Sequence, residues 1–504
     1  MYKLNKLLLL PFCLFLAIGY ARAQAPRVVA LSAVNGSMAK PQTIALSSHA
    51  VLKAKNFKLS GADKESFKVV SFSAGKATIG FNPATGSTGV KHATLTVNDG
   101  NTTQTFVVNG LCTDGTEEPP LANIVGALGY KINLGWQTLA NNELPEMQGD
   151  EIPAELFKKS GKGEVVIQPV ARYSPDFELA FGYYHIVSHA PAEQQVGVLS
   201  KSGQYAQHQT LMPDVSTGTT SFDPGTGEFG FYAKGPEHTV YSEDIWNKVF
   251  FPNLATHAKR VYAAKDAGGK TIPNNYLVCF EDAANGDYND YVFLLKNVTP
   301  VTEDKFVSIF NGRDLTGYHT YLQKIGTTDP DHLFRVEDGA VHVIGKVQGY
   351  AITDKSYSDY DLKVDFKWGV DKWPPRQNNK RDGGVLYNIP AAEPDSIWPK
   401  SIEFQIQEGD VGDFWMLGFS TLRVDGKVNR PTNHIGVTKK KDNEKPYGEW
   451  NTIEAVSYEG KCVQIVNGVV VNYGDQCSVK NGGRICLQSE YSEIYYKNVR
   501  IREL

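Results

Sequence analysis

Over most of its length the chain alternates apolar and polar residues with period two and shows no sustained helical period. Leu362, Val364, Phe366 and Trp368 alternate with Asp361, Lys363, Asp365 and Lys367, as in a strand with one face in a core and the other outside. In "SIEFQIQ", Ile402, Phe404 and Ile406 alternate in the same way with Glu403, Gln405 and Gln407. The outward file there is one carboxylate and two amides rather than the usual Lys, Thr and Ser, so it is either a solvated face or the floor of a polar cleft. Asn467-Gly468, between "KCVQIV" and "VVVNYG", marks a tight hairpin. Strands separated by turns at spacings of roughly 8–12 residues suggest sandwiches. The pattern predicts an all-β chain of three sandwich domains, 27–112, 122–299 and 303–504. The polar stretches "TDGTEEPPL" (113–121) and "TPVTED" (299–304) join them.

The first residues change the picture by setting a compartment. Lys3 and Lys6 precede an apolar run from Leu7 to Tyr20, then Ala21-Arg22-Ala23, the pattern of a secretory signal cut after Ala23. That run is too short to span a bilayer core of roughly 30 Å, and no second segment of spanning length follows. Export to the periplasm, the cell surface or the medium is the expectation. Cys13 lies inside the apolar run with no small residues before it, which argues against a lipoprotein signal. Five cysteines follow the signal, Cys112, Cys279, Cys462, Cys477 and Cys486. Their spacing matches no zinc pattern, and a disulfide among the last three stays open. A net charge of -4 gives no basic footprint for nucleic acid or an anionic membrane.

Candidate chemistry lies in two places. Between "NNYLVCF" and "YVFLLKNV", Glu281, Asp282, Asp287, Asn289 and Asp290 crowd ten residues. Hard cations take several oxygen ligands from one flexible loop, so Asp282, Asp287, Asn289 and Asp290 are candidate calcium ligands. The spacing is not that of an EF-hand, and strands rather than helices flank it. The alternative is an acidic hairpin whose side chains cap their own turn. The second place is the polar file of Glu403, Gln405 and Gln407, stepping roughly 6.6 Å per pair of residues along one strand.

Three resemblances bear on function. "FKLSGAD", "IGFNPATGSTGVKHATLTV" and "FVVNG" resemble the immunoglobulin-like domains of Hydin and abnormal-spindle proteins, which implies a spacer or contact module with a partner left open. The "FED…DYNDYVF" ending of the middle segment resembles a β-domain common in secreted bacterial surface proteins. In the last segment "FVSIFNGRDLTGY", "RDGGVLYNIP", "SIEFQIQEGDVGDFW", "KPYGEWNTIEAV", "VNGVVVN" and "GRICLQSEYSEIYYKNVRIREL" follow in order. That series resembles the 3-keto-disaccharide hydrolase family. The resemblance implies a concanavalin A-like jelly roll with a glycan cleft, an oligosaccharide or glycoside substrate oxidised at C3, and in some members a divalent metal. Asp382-Gly383-Gly384 departs from the Asn-Ser-Gly or Asp-Ser-Gly of many members, which removes a hydroxyl and leaves the exact substrate in doubt.

A ketone at C3 acidifies the C2 proton, so a base can remove it and the resulting enolate expels the group on C1. Such an enzyme does not need the two opposed carboxylates of ordinary glycosidases. Glu403 is the candidate base, and His434 a candidate acid or metal ligand. Gln405, Gln407, Arg381, Asp382, Tyr387, Trp415 and Gln488 are candidates for holding the sugar, Trp415 as a stacking platform. The rival reading is a glycan-binding surface protein that keeps the jelly roll without turnover, because fold does not choose between the two.

Overall fold

The computed structural model describes residues 27–48, 51–138, 146–203, 207–236 and 238–504. Residues 1–23, where a secretory signal is expected, lie outside the described residues. The fold is all-β, with two α-helices of seven residues each among the described residues, Leu121–Ala127 and Asp244–Phe250. None of the described helices is long and apolar enough to cross a membrane.

In the N-terminal sandwich, Arg27–Val34 runs parallel to Thr103–Thr113 in a four-stranded sheet that faces a three-stranded one. Leu31, Ile79, Phe81, Leu95 and Val108 fill the space between them. The middle sandwich packs a five-stranded sheet on a six-stranded one around Ile167, Phe181, Phe231, Val278 and Phe293.

The C-terminal sandwich has an eight-stranded and a seven-stranded sheet. Leu362, Val364 and Phe366 from Tyr360–Lys372 meet Ile402, Phe404 and Ile406 from Ser401–Gln407 in one core. The alternating apolar files of the two strands thus face each other, which is why period two is kept so strictly here. Tyr387 belongs to this core and is fully buried, so it does not hold a ligand on the outward face as expected. All five described cysteines are buried free thiols, and none forms a disulfide.

The sandwiches are joined by packing as well as by chain. The helix Leu121–Ala127 seats Ile124 and Val125 in a cluster with Ala30 and Leu111 on one side and Tyr173, Leu211 and Tyr262 on the other. At the second junction Tyr184, Trp246 and Val249 pack on Val456, Tyr458 and Ile465 of the C-terminal sandwich. Charge crosses there too: Arg502 pairs with Glu243, and Lys248 donates to Glu454 at 2.6 Å.

Trp246 is 1% exposed and packs edge-on to Tyr458 at 5.6 Å. Trp246→Ala is therefore expected to cost about 3–5 kcal/mol, the range for deleting a large buried aromatic. Chemical denaturation should show it as an earlier transition. An unchanged midpoint would mean that the two sandwiches do not depend on this contact.

Candidate active site

The seven-stranded sheet turns its second face outward, and strand register decides what stands there. Glu403 pairs with Leu386 on one side and Trp415 on the other. Gln405 pairs with Gly384, and Gln407 with Asp382. Leu487 pairs with Val385, which sets Gln488 beside Gly384. Tyr350 pairs with Gln488 and Tyr321 with Tyr350, so the row continues into aromatics. Carboxyl and amide groups from three strands therefore share one patch with an apolar border of Leu386, Trp398 and Trp415.

Although it faces outward, the patch is not a solvated sheet surface. Glu403 is 5% exposed and Gln405 7%. Burial, reinforced by Glu490 and Asp382, holds the Glu403 carboxyl far above the ordinary carboxylate range, and a hydrogen bond with the Gln488 side chain offsets only part of this. Gly384 makes the arrangement possible. A Cβ there would run into Glu403 Oε1 and come within 2.8 Å of Gln488 Oε1, so the two side chains occupy the space that glycine leaves open.

Asp382 is the hub of the neighbouring network. Gln405 Nε2 donates to one of its oxygens and Gln407 Nε2 to the other, each at 2.9 Å, and Arg376 forms an ion pair with it. Burial still raises Asp382 above its ordinary value, with Arg376 acting against that. Arg376 also reaches Glu490 Oε1 at 2.9 Å. Burial and the adjacent Asp382 push Glu490 up to about 7. Asp382 and Glu490 thus share one guanidinium, and Glu403 beside them has none.

Several expected residues converge, and others take different positions. Glu403, Gln405, Asp382, Gln488 and Trp415 lie on the same outward face. The Gln405 and Gln407 amides orient Asp382 instead of standing free for hydroxyls. Arg381 faces elsewhere: its Nη1 meets Glu408 at 3.2 Å, its Nε donates to Gly369, and its guanidinium lies 4.2 Å from the Tyr447 ring centre. His434 is exposed at the border, its ring 6.0 Å from that of Trp415. Glu490 and Arg376 were not anticipated. Glu490 stands two residues beyond Gln488, so the same alternation points to it, whereas Arg376 comes from a loop whose course no periodicity reveals. The hydroxyl missing from Asp382-Gly383-Gly384 concerns the other face: a side chain at 383 would point toward Tyr496 Oη and Ile494 between the sheets.

Among the described residues, one group of three brings acidic ligand atoms within 4.8 Å of one another: Glu281, Asp287 and Asp290 in the middle sandwich. This buried triad has the chemistry to hold a metal ion. It keeps Asp287 and Asp290 of the expected ligands and adds Glu281. Asp282 instead accepts from the Tyr291 hydroxyl. Asn289 Nδ2 donates to the Pro119 carbonyl at 3.0 Å. No such group lies in the described C-terminal sandwich, where a divalent metal was expected.

Residues 305–502 match the family model of the 3-keto-alpha-glucoside-1,2-lyase-like domain. Among solved structures, a "putative glycosyl hydrolase" from Parabacteroides distasonis ATCC 8503 is similar at 21% identity, over 40% of this chain and 98% of that one, with a TM-score of 0.30. A second structure of that description, from the same organism, gives 19% identity over 40% of this chain and all of the other, with a TM-score of 0.28. The carbohydrate-binding module CBM66 from Bacillus subtilis gives 11% identity over 37% and 96%, with a TM-score of 0.27. No curated protein matches the chain.

Because Glu403 lies over Gly384, the two positions should be energetically coupled. Gly384→Ala is expected to cost about 1–3 kcal/mol by overpacking. Combined with Glu403→Ala, which clears the space, most of that cost should disappear, giving a strongly non-additive double-mutant cycle in denaturant titrations. Simple additivity would show that the Glu403 carboxyl does not rest there.

Proposed function

We propose that the C-terminal sandwich cleaves 3-keto-glycosides at C1 by elimination, with the outward patch around Glu403 as its active site. The observation that carries this reading is a carboxyl buried on the outward face of a sheet, hydrogen-bonded by Gln488 and beside a second carboxyl raised to about 7. Carboxyls with proton affinities set apart by their surroundings are what acid–base chemistry near neutral pH requires. The match of residues 305–502 to a 1,2-lyase-like family supports the substrate class.

The surroundings divide the roles differently from the sequence alone. Glu403 keeps its proton to a pH far above the usual range, which suits it to donate rather than to accept as the expected base. Glu490, held by Arg376, is ionised above about 7 and takes the base role. In the proposed step Glu490 removes the proton on C2, the electron pair forms the C1–C2 double bond in conjugation with the C3 ketone, and the C1–O bond breaks. Glu403 passes its proton to the departing oxygen. Water adding across the new double bond would complete a net hydrolysis. Trp415 and Tyr321, the latter stacked at 5.7 Å on the buried Tyr350, offer ring faces at the border of the patch.

Two readings accompany this one. The amino-terminal pattern ending at Ala23 supports export, and the N-terminal sandwich reads as a spacer or contact module. The triad in the middle sandwich reads as a calcium site, because oxygen-only, carboxylate-rich loops suit a hard divalent cation.

Nitrophenol release from both anomers of 3-keto-nitrophenyl glucoside, with the unoxidised glucosides as controls, tests the activity. Release from the keto substrate alone is expected, falling at least about 100-fold in Glu403→Gln and in Glu490→Gln, the scale of general acid–base catalysis. The sign of the pH dependence follows from the roles: kcat/KM should rise through about 7 as Glu490 ionises, then fall at higher pH as Glu403 loses its proton. Glu490→Gln should remove the rising limb. Turnover unaffected by either substitution would exclude these roles, and glycan binding without turnover would favour the non-catalytic reading.

A further inference from the structure

The acidic loop of the middle sandwich has a neighbour from outside it. The linker after the N-terminal sandwich lies against the loop: Asn289 Nδ2 donates to the Pro119 carbonyl at 3.0 Å, and Gln209 Nε2 donates to the Glu117 carbonyl at 3.1 Å. Glu118, half-buried between them, hydrogen-bonds the Asn289 side chain and feels Asp287, Asp282 and Glu281 at close range. The triad of Glu281, Asp287 and Asp290 thus has Glu118 and Asp282 as acidic neighbours where two sandwiches join. Among the described residues none of the five forms an ion pair with a lysine, arginine or histidine. Arg172, the nearby guanidinium, spends its donors on Ser174 Oγ and on the carbonyls of Pro175 and Ser200.

Two buried oxygens there lack any donor. Asn289 is fully buried, and the amide that touches Glu118 and Pro119 leaves its own Oδ1 without a hydrogen-bond partner among the described residues. Asp287, 6% exposed, uses Oδ2 for the Asn285 amide while its Oδ1 has no partner. Such oxygens are uncommon in folded proteins, because an unpaired buried acceptor forfeits its hydration. A cation satisfies them and the charge together.

We propose that Glu118 and the Asn289 side-chain oxygen complete a divalent-cation site with Glu281, Asp287 and Asp290, so that the bound ion clamps the 113–121 linker onto the middle sandwich. The inference rests on the calcium reading of the triad and adds a ligand from the linker. Four carboxylates and one amide oxygen would supply five of the six to eight oxygens that calcium takes, and second carboxylate oxygens, backbone carbonyls or water the rest. The site then couples cation concentration to the junction between the first two sandwiches, through a residue that belongs to neither sheet.

Calcium titration of the purified full chain by calorimetry, with terbium luminescence sensitised by Tyr288 and Trp136, tests both levels. Their rings lie 6.4 Å apart beside the loop. Asp287→Asn should abolish binding, Glu118→Gln should weaken it at least tenfold, and Glu117→Gln, one residue away and exposed, should leave it unchanged. A protease that cuts after glutamate should cleave at Glu117 slowly with calcium and faster with a chelator, while Glu118→Gln is cleaved at the faster rate in both. Circular dichroism of each variant separates loss of a ligand from loss of fold. No binding of calcium or terbium by the wild type would overturn the calcium reading and the clamp together. Binding lost in Asp287→Asn but unchanged in Glu118→Gln, with proteolysis indifferent to calcium, would overturn the clamp alone.

Discussion

Taking a carboxyl out of water is costly unless the charge is neutralised, paired or well hydrogen-bonded. Glu403 has the hydrogen bond of Gln488 and, among the described residues, no cation of its own. It is nevertheless held over Gly384 on the outward face of a sheet whose inner face is already committed to the core by Ile402, Phe404 and Ile406. The response left to such a group is to keep its proton. Asp382 and Glu490 strengthen that response, because the one guanidinium they share, that of Arg376, does not balance three carboxyls. Placement alone therefore holds Glu403 well above its ordinary range and pushes Glu490 up to about 7.

The strength of that placement comes from the sheet. Neighbouring strands fix Glu403, Gly384 and Gln488 in register, and each is held from behind by a core residue of the same strand. The two glutamines that follow Glu403 extend the same logic. Their amides grip both oxygens of Asp382, which in turn fixes Arg376 and through it Glu490. Groups expected to read hydroxyls thus orient other polar groups, which is the positioning that the proposed chemistry would require.

How much of this was legible from the residues alone follows from period two. Alternation separated Glu403, Gln405 and Gln407 from Ile402, Phe404 and Ile406, and it pointed to Gln488, opposite Leu487, on the same face. Tyr387 was within reach of the same rule, because Val385 and Tyr387 share a parity and lie together in the core. Arg381 illustrates a different failure. A charged residue before a strand has no periodicity to fix its direction, and its partners Glu408 and Tyr447 are distant in sequence. Arg376 was hidden for that reason too. In the acidic loop composition revealed a cluster but not its geometry: backbone turns aim Glu281 inward, while Asp282 faces the Tyr291 hydroxyl.

The two acidic clusters pose the same electrostatic problem under different constraints. In the C-terminal sandwich Arg376 lies within reach, so the cluster needs only to retain a proton, which is what the proposed elimination would move. In the middle sandwich the nearby guanidinium is engaged by Ser174 and by carbonyls, and two of the buried oxygens are left without donors. Such a site mixes carboxyl oxygens with the neutral amide oxygen of Asn289, a donor set that the proposed cation would accept as a whole. Apolar packing by Trp246 and Tyr458 at one junction and by Ile124 and Val125 at the other orders the three sandwiches regardless of charge. What the proposed cation would add at the first junction is therefore control of the linker, not assembly of the fold.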